Sequence, residues 1–454
     1  MGYLRELIFQ RGCNSHHAMR ACLSFYRILI FFVFSISITF TSCGGGGGDS
    51  GSPDTDSISL SETGTYTFPA AIPGYGAQTP LTVTVTNTGN QATGNLDVIV
   101  SWSSTNSFTL STTTISSIAV GGTDTFTVVP RVGLSAGTYS SNVMVSGDNG
   151  IVAASFYISF TVNGPYIING SGSSFTATKG GATIGTANQP IQNVINSIRS
   201  NANSADCVIQ FGDGVTALNI GSASASFNNT GGIWGLITLT GKITSITSSG
   251  TISIRDNVSL ISTGDITNSA ASTGIAVYTI STGAVTISSG TVSATTNIAI
   301  WNDSTGAVII SGGMVSATTG IAIVNTSTGS VTISGGTVSS TAGNAAVLND
   351  YTGKITVSGT ALVTSANTAI GGTIYLNNNG TATTVRLEIL GGTVSNTSTG
   401  TGMTIYNDST GTVIISGGTV SKSGSSGYAV YNASTGKVTI TSPPAVIIGP
   451  RFNC

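Results

Sequence analysis

Between residues 56 and 163, apolar and polar residues alternate with period two in short runs separated by turn residues. In LTVTVTN, Leu81, Val83 and Val85 share one side of an extended strand, and Thr82, Thr84 and Thr86 share the other. GTYTF, LDVIVSWS, SFTLS, DTFTVVPRV, GTYSSNVMVSG and ASFYISFTV repeat the arrangement. Asp148-Asn149-Gly150 supplies a hairpin turn. Seven such strands with regular turns predict a β-sandwich over residues 56–163, with Trp102 in its core.

From Pro165 onward the pattern changes to a repeat. STGAVTISSGTVSATTNIAIWND starts at Ser281, STGAVIISGGMVSATTGIAIVNT at Ser304 and STGSVTISGGTVSSTAGNAAVLND at Ser327, a period of 23, 23 and then 24 residues. Related copies start at Tyr351, Ser409 and Ser434, with a longer, irregular copy between Tyr351 and Ser409. Apolar positions recur in register: Val285, Val308 and Val331; Ile287, Ile310 and Ile333; Val292, Val315 and Val338; Ile300, Ile323 and Val347. One repeat cannot enclose a core, but stacked repeats can. The expected fold is therefore all-β: a sandwich, then a right-handed parallel β-helix over residues 165–454 of about ten coils. Ile191, Val194, Ile195 and Ile198 break the β pattern with helical spacing, which predicts an amphipathic helix capping the first coil.

The first residues read differently again. Arg20 and Arg27 precede the apolar run ILIFFVFSISI, and FTSC follows it, as in a secretory signal peptide over residues 1–42. Met19 is an alternative start that gives a signal of conventional length. Cys43 followed by GGGGGDSGS resembles a bacterial lipoprotein signal, and the resemblance implies lipidation of Cys43 and a Gly/Ser tether over residues 43–55. The chain is then exported and membrane-anchored, at the outer membrane or cell surface.

Charge narrows the function classes. The whole chain is 7% charged, with 14 Lys+Arg against 16 Asp+Glu. Removing residues 1–42 takes away Arg5, Arg11, Arg20, Arg27 and Glu6, leaving 10 basic and 15 acidic side chains, a net −5. No basic stripe is available for nucleic acid. Both histidines, His16 and His17, leave with the signal, which excludes histidine-based triads and zinc sites from the rest. Cys207 and Cys454 lie far apart in the repeat and are read as separate structural thiols.

Three resemblances attach to particular residues. VTNTGN and LSAGTYSSNVMVSG make the sandwich similar to bacterial immunoglobulin-like modules. The capping helix and DCVIQFGDG resemble the start of pectate-lyase-like β-helices. Repeat text such as VTISGGTVSS, over about residues 264–440, resembles bacterial β-helix carbohydrate-binding proteins. That last resemblance implies a plant-type polysaccharide ligand and a use of calcium. Carboxylates are too thin here for a calcium cage, so no cofactor or metal is expected.

Two columns stand out as candidate sites. Asn302, Asn325, Asn349, Asn407 and Asn432 occupy one repeat position, where stacked amides can form a structural ladder. One residue earlier stand Tyr278, Trp301, Val324, Leu348, Tyr406 and Tyr431. With Ile298 and Ile300 facing in, that position faces out. Tyr278, Trp301, Tyr406 and Tyr431 are the carbohydrate-binding candidates. The competing reading is a cross-strand stack that only stabilises the sheet. Asp303, Asp350 and Asp408 follow ladder positions, where Thr326 and Ala433 stand in other coils. Asp303 and Asp350 lie two coils apart, about 9.6 Å, a spacing that would admit an inverting glycosidase pair. No basic or acidic partner accompanies them, and no catalytic residue is assigned. The expected function is non-catalytic binding of polysaccharide or another surface. The alternatives are a lyase or hydrolase with a sparse carboxylate site, and a purely structural rod or adhesin.

Overall fold

The computed structural model describes residues 55–101, 106–147, 151–212, 218–342, 345–369, 371–377, 384–441 and 445–450. The signal segment, Cys43, Trp102, the Asp148-Asn149-Gly150 turn and Cys454 lie outside these residues.

The first domain is an immunoglobulin-like sandwich. One sheet has the order β1 (Ile58–Leu60), β3 (Leu81–Asn87), β7 (Thr123–Pro130), β5 (Phe108–Leu110). The other has β2 (Thr65–Thr67), β9 (Ala154–Val162), β8 (Gly137–Gly147), β4 (Leu96–Val100), β6 (Thr114–Ile115). All seven expected strands are present, with β1 and β6 added. The period-two pattern sends Val83 and Val85 into a core shared with Phe68, Phe126, Phe156 and Phe160. The VTNTGN turn is built around buried Asn87. Its Nδ2 donates to the carbonyls of Gln91 (2.7 Å) and Ile118 (2.9 Å), and its Oδ1 accepts from Gly89 N (2.9 Å).

The second domain is a parallel β-helix. A meander of β10 (Tyr166–Ser171), β11 (Ser174–Lys179) and β12 (Ala182–Gln189) leads into it, and β10 pairs in parallel with β13 (Cys207–Phe211). Each regular coil then lays down three strands. In one coil these are Val285–Ile287, Thr291–Ala294 and Ile298–Asn302, and each pairs in register with its counterpart one coil on. The stack holding Ile298–Asn302 has nine strands among the described residues, one fewer than the ten coils expected. Val285, Ile287, Val292, Ile300 and their equivalents are fully buried, except in the last coil, where Val438, Ile440 and Ile447 are half-buried. Each such aliphatic side chain contributes about 1.5–3 kcal/mol of burial.

Strict alternation fails at one corner. Ile298 is only half-buried, while Ala299 and Ile300 are both buried. Ala276, Ala322, Ala346, Thr373 and Thr404 share the Ala299 position and its burial. Here the chain turns from one sheet to the next, so two successive residues face inward. Only small side chains, or threonines bonded across the corner, fit. Thr373 Oγ1 pairs with Ser365 Oγ at 2.7 Å, for example.

The expected cap is helix α1 (Ile191–Ala202), opened by Pro190 and closed by Asn203 in the left-handed region. Ile191, Val194, Ile195 and Ile198 pack into the β-helix core. The polar side chains of α1 also close a sheet edge. Strand Ala225–Phe227 pairs only with Ile252–Asp256, so alternate backbone groups point away unpaired. Gln192 Oε1 accepts from Ser226 N (3.0 Å) and its Nε2 donates to Ser226 O (2.9 Å). Arg199 Nη1 donates to Asn228 O at 2.7 Å. Cys207 is a buried thiol next to this cap, and burial pushes its pKa up to about 12.

Candidate functional site

The third stack carries the candidate residues, and its inner ladder explains their order. Asn302 Nδ2 donates to Asn325 Oδ1 (2.9 Å), and Asn325 Nδ2 donates to Asn349 Oδ1 (3.0 Å). Each amide also donates to the carbonyl four residues on: Asn302 to Gly306 (3.1 Å), Asn325 to Gly329 (2.9 Å) and Asn432 to Gly436 (2.7 Å). One side chain thus holds its own turn and the next coil. The glycine is obligatory, since a Cβ on Gly329 would lie 2.6 Å from Asn302 Nδ2 and 2.4 Å from Gly306 O.

The ladder is not continuous, contrary to a single column of five amides. Asn349 pairs with Leu376, and Leu376 with Asn407. A second run begins there, with Asn407 Nδ2 donating to Asn432 Oδ1 at 2.8 Å. Beside the break lies Arg386, fully buried. It is the extra residue of a β-bulge, since Val385 pairs with Thr412 and Leu387 with Val413. The bulge turns its guanidinium inward, where Nη2 donates to Asn349 O at 3.0 Å and Nε has no partner. Burial lowers the Arg386 pKa to about 10, against the opposing pull of Asp350. Gly411 makes the space, because a Cβ there would lie 2.3 Å from Arg386 Cγ.

The outward column is longer than the sequence indicated. Tyr278, Trp301, Val324, Leu348, Tyr375, Tyr406 and Tyr431 pair successively over seven coils. Tyr375 was missed because the irregular coil carries Leu376 where the marker asparagine stands elsewhere. The pattern Ile374-Tyr375-Leu376 against Ile300-Trp301-Asn302 is the signal that identifies it. Tyr278 and Trp301 meet edge to face at 5.5 Å, Tyr375 and Tyr406 likewise at 5.0 Å, and Tyr406 stacks on Tyr431 at 5.4 Å with an 11° tilt. The four candidate aromatics therefore fall into two groups, separated by Val324 and Leu348.

A polar column runs beside the aromatic one. The backbone amides of Asp303, Thr326, Asp350, Asn377, Asp408 and Ala433 each donate to the preceding coil, at 2.8–3.0 Å. Their side chains connect to the rings. Tyr278 OH donates to Asp303 Oδ2 (3.4 Å), Trp301 Nε1 to Thr326 Oγ1 (3.0 Å) and Thr326 Oγ1 to Asp303 Oδ1 (2.8 Å). Asn377 Nδ2 donates to Asp350 Oδ1, and Tyr375 OH to Asn377 Oδ1 at 3.4 Å. Burial, reinforced by these carboxylates, raises the phenol pKa values of Tyr278, Tyr375 and Tyr406. Asp303 and Asp350 do lie two coils apart, with Thr326 between them. Asp350 and Asp408 are likewise two coils apart, with Asn377 between them. Among the described residues no group of three or more His, Cys, Asp or Glu side chains could hold a metal ion.

Comparison with known proteins bears on the first domain. The family model described as CARDB matches residues 65–155. Solved structures similar to this chain include a PapD-like domain of human CEP192, with 13% identity over 28% of this chain and 97% of that one, at a TM-score of 0.19. The YadV chaperone matches with 17% identity over 27% of this chain and 66% of its own, at a TM-score of 0.18. The E. coli chaperone DraB matches with 14% identity over 29% and 79%, also at 0.18. No curated protein matches the sequence. With the two-sheet topology, the CARDB match identifies residues 65–155 as an immunoglobulin-like domain.

Proposed function

We propose that this chain is an exported, lipid-anchored surface protein whose β-helix binds polysaccharide without cleaving it. Cys43 and its glycine tether provide the anchor, and the sandwich acts as a spacer. The carrying observation is an asymmetry between faces. The outward positions of the other two stacks are Thr286, Ile309 and Thr332, and Ser293, Ser316 and Ser339, with no aromatic ring among them. The rings of Tyr278, Trp301, Tyr375, Tyr406 and Tyr431 instead line the third face beside Asp303, Asp350 and Asp408, where phenol and indole donors sit next to acceptors, whereas Glu388 on the first stack is paired with Lys354. Such a mixture of apolar ring and polar edge suits sugars.

The same geometry disfavours catalysis. An inverting pair needs a water between its carboxyl groups. In both spaced pairs a side chain fills the intervening coil, Thr326 in one and Asn377 in the other. The structural-rod reading draws on a different observation: Tyr406 and Tyr431 stack on each other and so hide one face of each ring. A glycan array probed with the whole chain separates the two. Binding that is competed by soluble glycan, and reduced at least tenfold by replacing Tyr278, Trp301, Tyr406 and Tyr431 with Ala in a protein that still unfolds cooperatively, is expected. Silence across the array would leave the structural rod.

A further inference from the structure

The face is not uniform along its length, and the irregular coil is where it differs most. In the coils from Trp301 to Leu348 the outward column turns aliphatic. At the ladder break, three features coincide. Tyr375, Tyr406 and Tyr431 give three successive rings. Asp350, Asn377 and Asp408 give three successive polar side chains beside them, and the Asn377–Asp350 bond holds two of these in place. Beneath them, Leu376 and the bulged Arg386 replace the asparagine that the other coils use. The guanidinium donates to Asn377 O of this rung and to Asn349 O of the rung before it. A buried cation, a bulge and a glycine fitted to it are costly features, and they occur together at the rung that opens the run of three rings and that Asp350 and Asp408 flank on either side.

We propose, building on the polysaccharide-binding reading, that this rung is the recognition centre and that it takes an uncharged glycan lying along the β-helix axis. Asp350, Asn377 and Asp408 accept from and donate to the sugar hydroxyls, while Tyr375 and Tyr406 contact the ring edges. The charge argument selects the ligand class. The polar column presents Asp303, Asp350 and Asp408, and Arg255 lies in the position preceding Ile280, at the far end of the face. A polyuronate laid along this column would place carboxylate against carboxylate at Asp350 and Asp408, because the Arg386 guanidinium beneath them is fully buried and turned to backbone carbonyls, out of reach of a ligand. Carboxylates suit hydroxyl pairs instead, because each oxygen accepts more than one hydrogen bond. Asp350 and Asp408 are about 9.6 Å apart at the spacing of two coils, the reach of a short oligosaccharide.

The test is affinity electrophoresis of the whole chain in gels containing either a neutral β-glucan or polygalacturonate. Asn377→Ala and Asp408→Ala are compared with Trp301→Ala, and circular dichroism confirms folding. Retardation by the neutral polymer alone is expected. Its apparent Kd should rise at least tenfold in Asn377→Ala and Asp408→Ala, and by a smaller factor in Trp301→Ala, whose ring contributes to binding from outside this rung. Two outcomes would overturn the inference and leave glycan binding intact: stronger retardation by polygalacturonate, or loss of binding in Trp301→Ala with none in the other two variants. Failure of both polymers, together with a silent array, would remove the polysaccharide reading itself.

Discussion

In the coils between Ser281 and Asp350, each buried ladder amide is answered by its copy in the next rung, whereas in the coil between Tyr351 and Asp408 a buried guanidinium takes over part of that role. The first solution follows from repetition. Copying a coil copies both a donor and its acceptor, so no rung has to be satisfied individually. The second solution depends on several particular residues at once. Leu376 removes the amide, a one-residue bulge brings in Arg386, and Gly411 leaves room for its side chain. The regular coils are thus locally redundant, and the irregular one is a coupled unit.

The sharpest way to break this contrast is to place leucine in the regular run. Asn325→Leu removes the acceptor of Asn302, the donor to Asn349 and the donor to Gly329 O, all in the core. At about 1–3 kcal/mol for each buried group left unpaired, urea unfolding should show a loss of about 3 kcal/mol or more. Yet leucine is native at position 376. A loss below about 1 kcal/mol would mean that the ladder amides only shape their own turns.

A smaller effect tests the coupling itself. Gly411→Ala drives a methyl group to 2.3 Å from Arg386 Cγ and should cost about 1–3 kcal/mol. In an Arg386→Ala background most of that cost should vanish. A double-mutant cycle then yields a coupling energy of about 1–2 kcal/mol, and additivity would dissolve the proposed unit.

The smallest expected effect uses titration. The amides of the regular run do not ionise, so alkaline instability must come from elsewhere. Cys207 has its pKa raised by burial from 9.0 to about 12, and Tyr166 from 10.0 to about 12. A raised folded pKa means that the unfolded chain gives up its proton first. The stabilisation is therefore complete below about pH 9 and is lost as pH climbs towards 12. Between pH 9 and 10 the thiol alone should account for about 1 kcal/mol. Cys207→Ala should flatten that slope. Arg386 acts in the opposite direction, its folded pKa being lowered from 12.5 to about 10, so its part of the penalty eases above pH 10. An unchanged slope in Cys207→Ala would place the alkaline loss on the phenols.

What the sequence revealed follows the same division. Wherever the 23-residue text recurs, register, inward residues, ladder and outward rings could all be read, because one coil predicts the next. Ile298 was misread as facing in, since alternation carries no sign of a corner where two residues in succession turn inward. Tyr375 and Arg386 escaped for a related reason. The irregular coil loses its marker asparagine, and a bulge shifts the parity of every residue after it, so VRLEIL reads as an ordinary strand with an exposed arginine. The positions that a repeat cannot predict are also those on which the proposed recognition centre is built.

The Gln192 carboxamide has a consequence of another kind. The last strand of a stacked sheet is a template on which any extended chain can be added, as fibrils grow. On strand Ala225–Phe227 the outward-pointing groups of Ser226 are both taken by one glutamine, and Asn228 O is taken by Arg199. A strand arriving from another molecule finds the groups of Ser226, at the centre of that edge, already engaged. A protein made of near-identical rungs thus carries, in two side chains of a single helix, a terminator that keeps its own architecture from propagating between molecules at that edge.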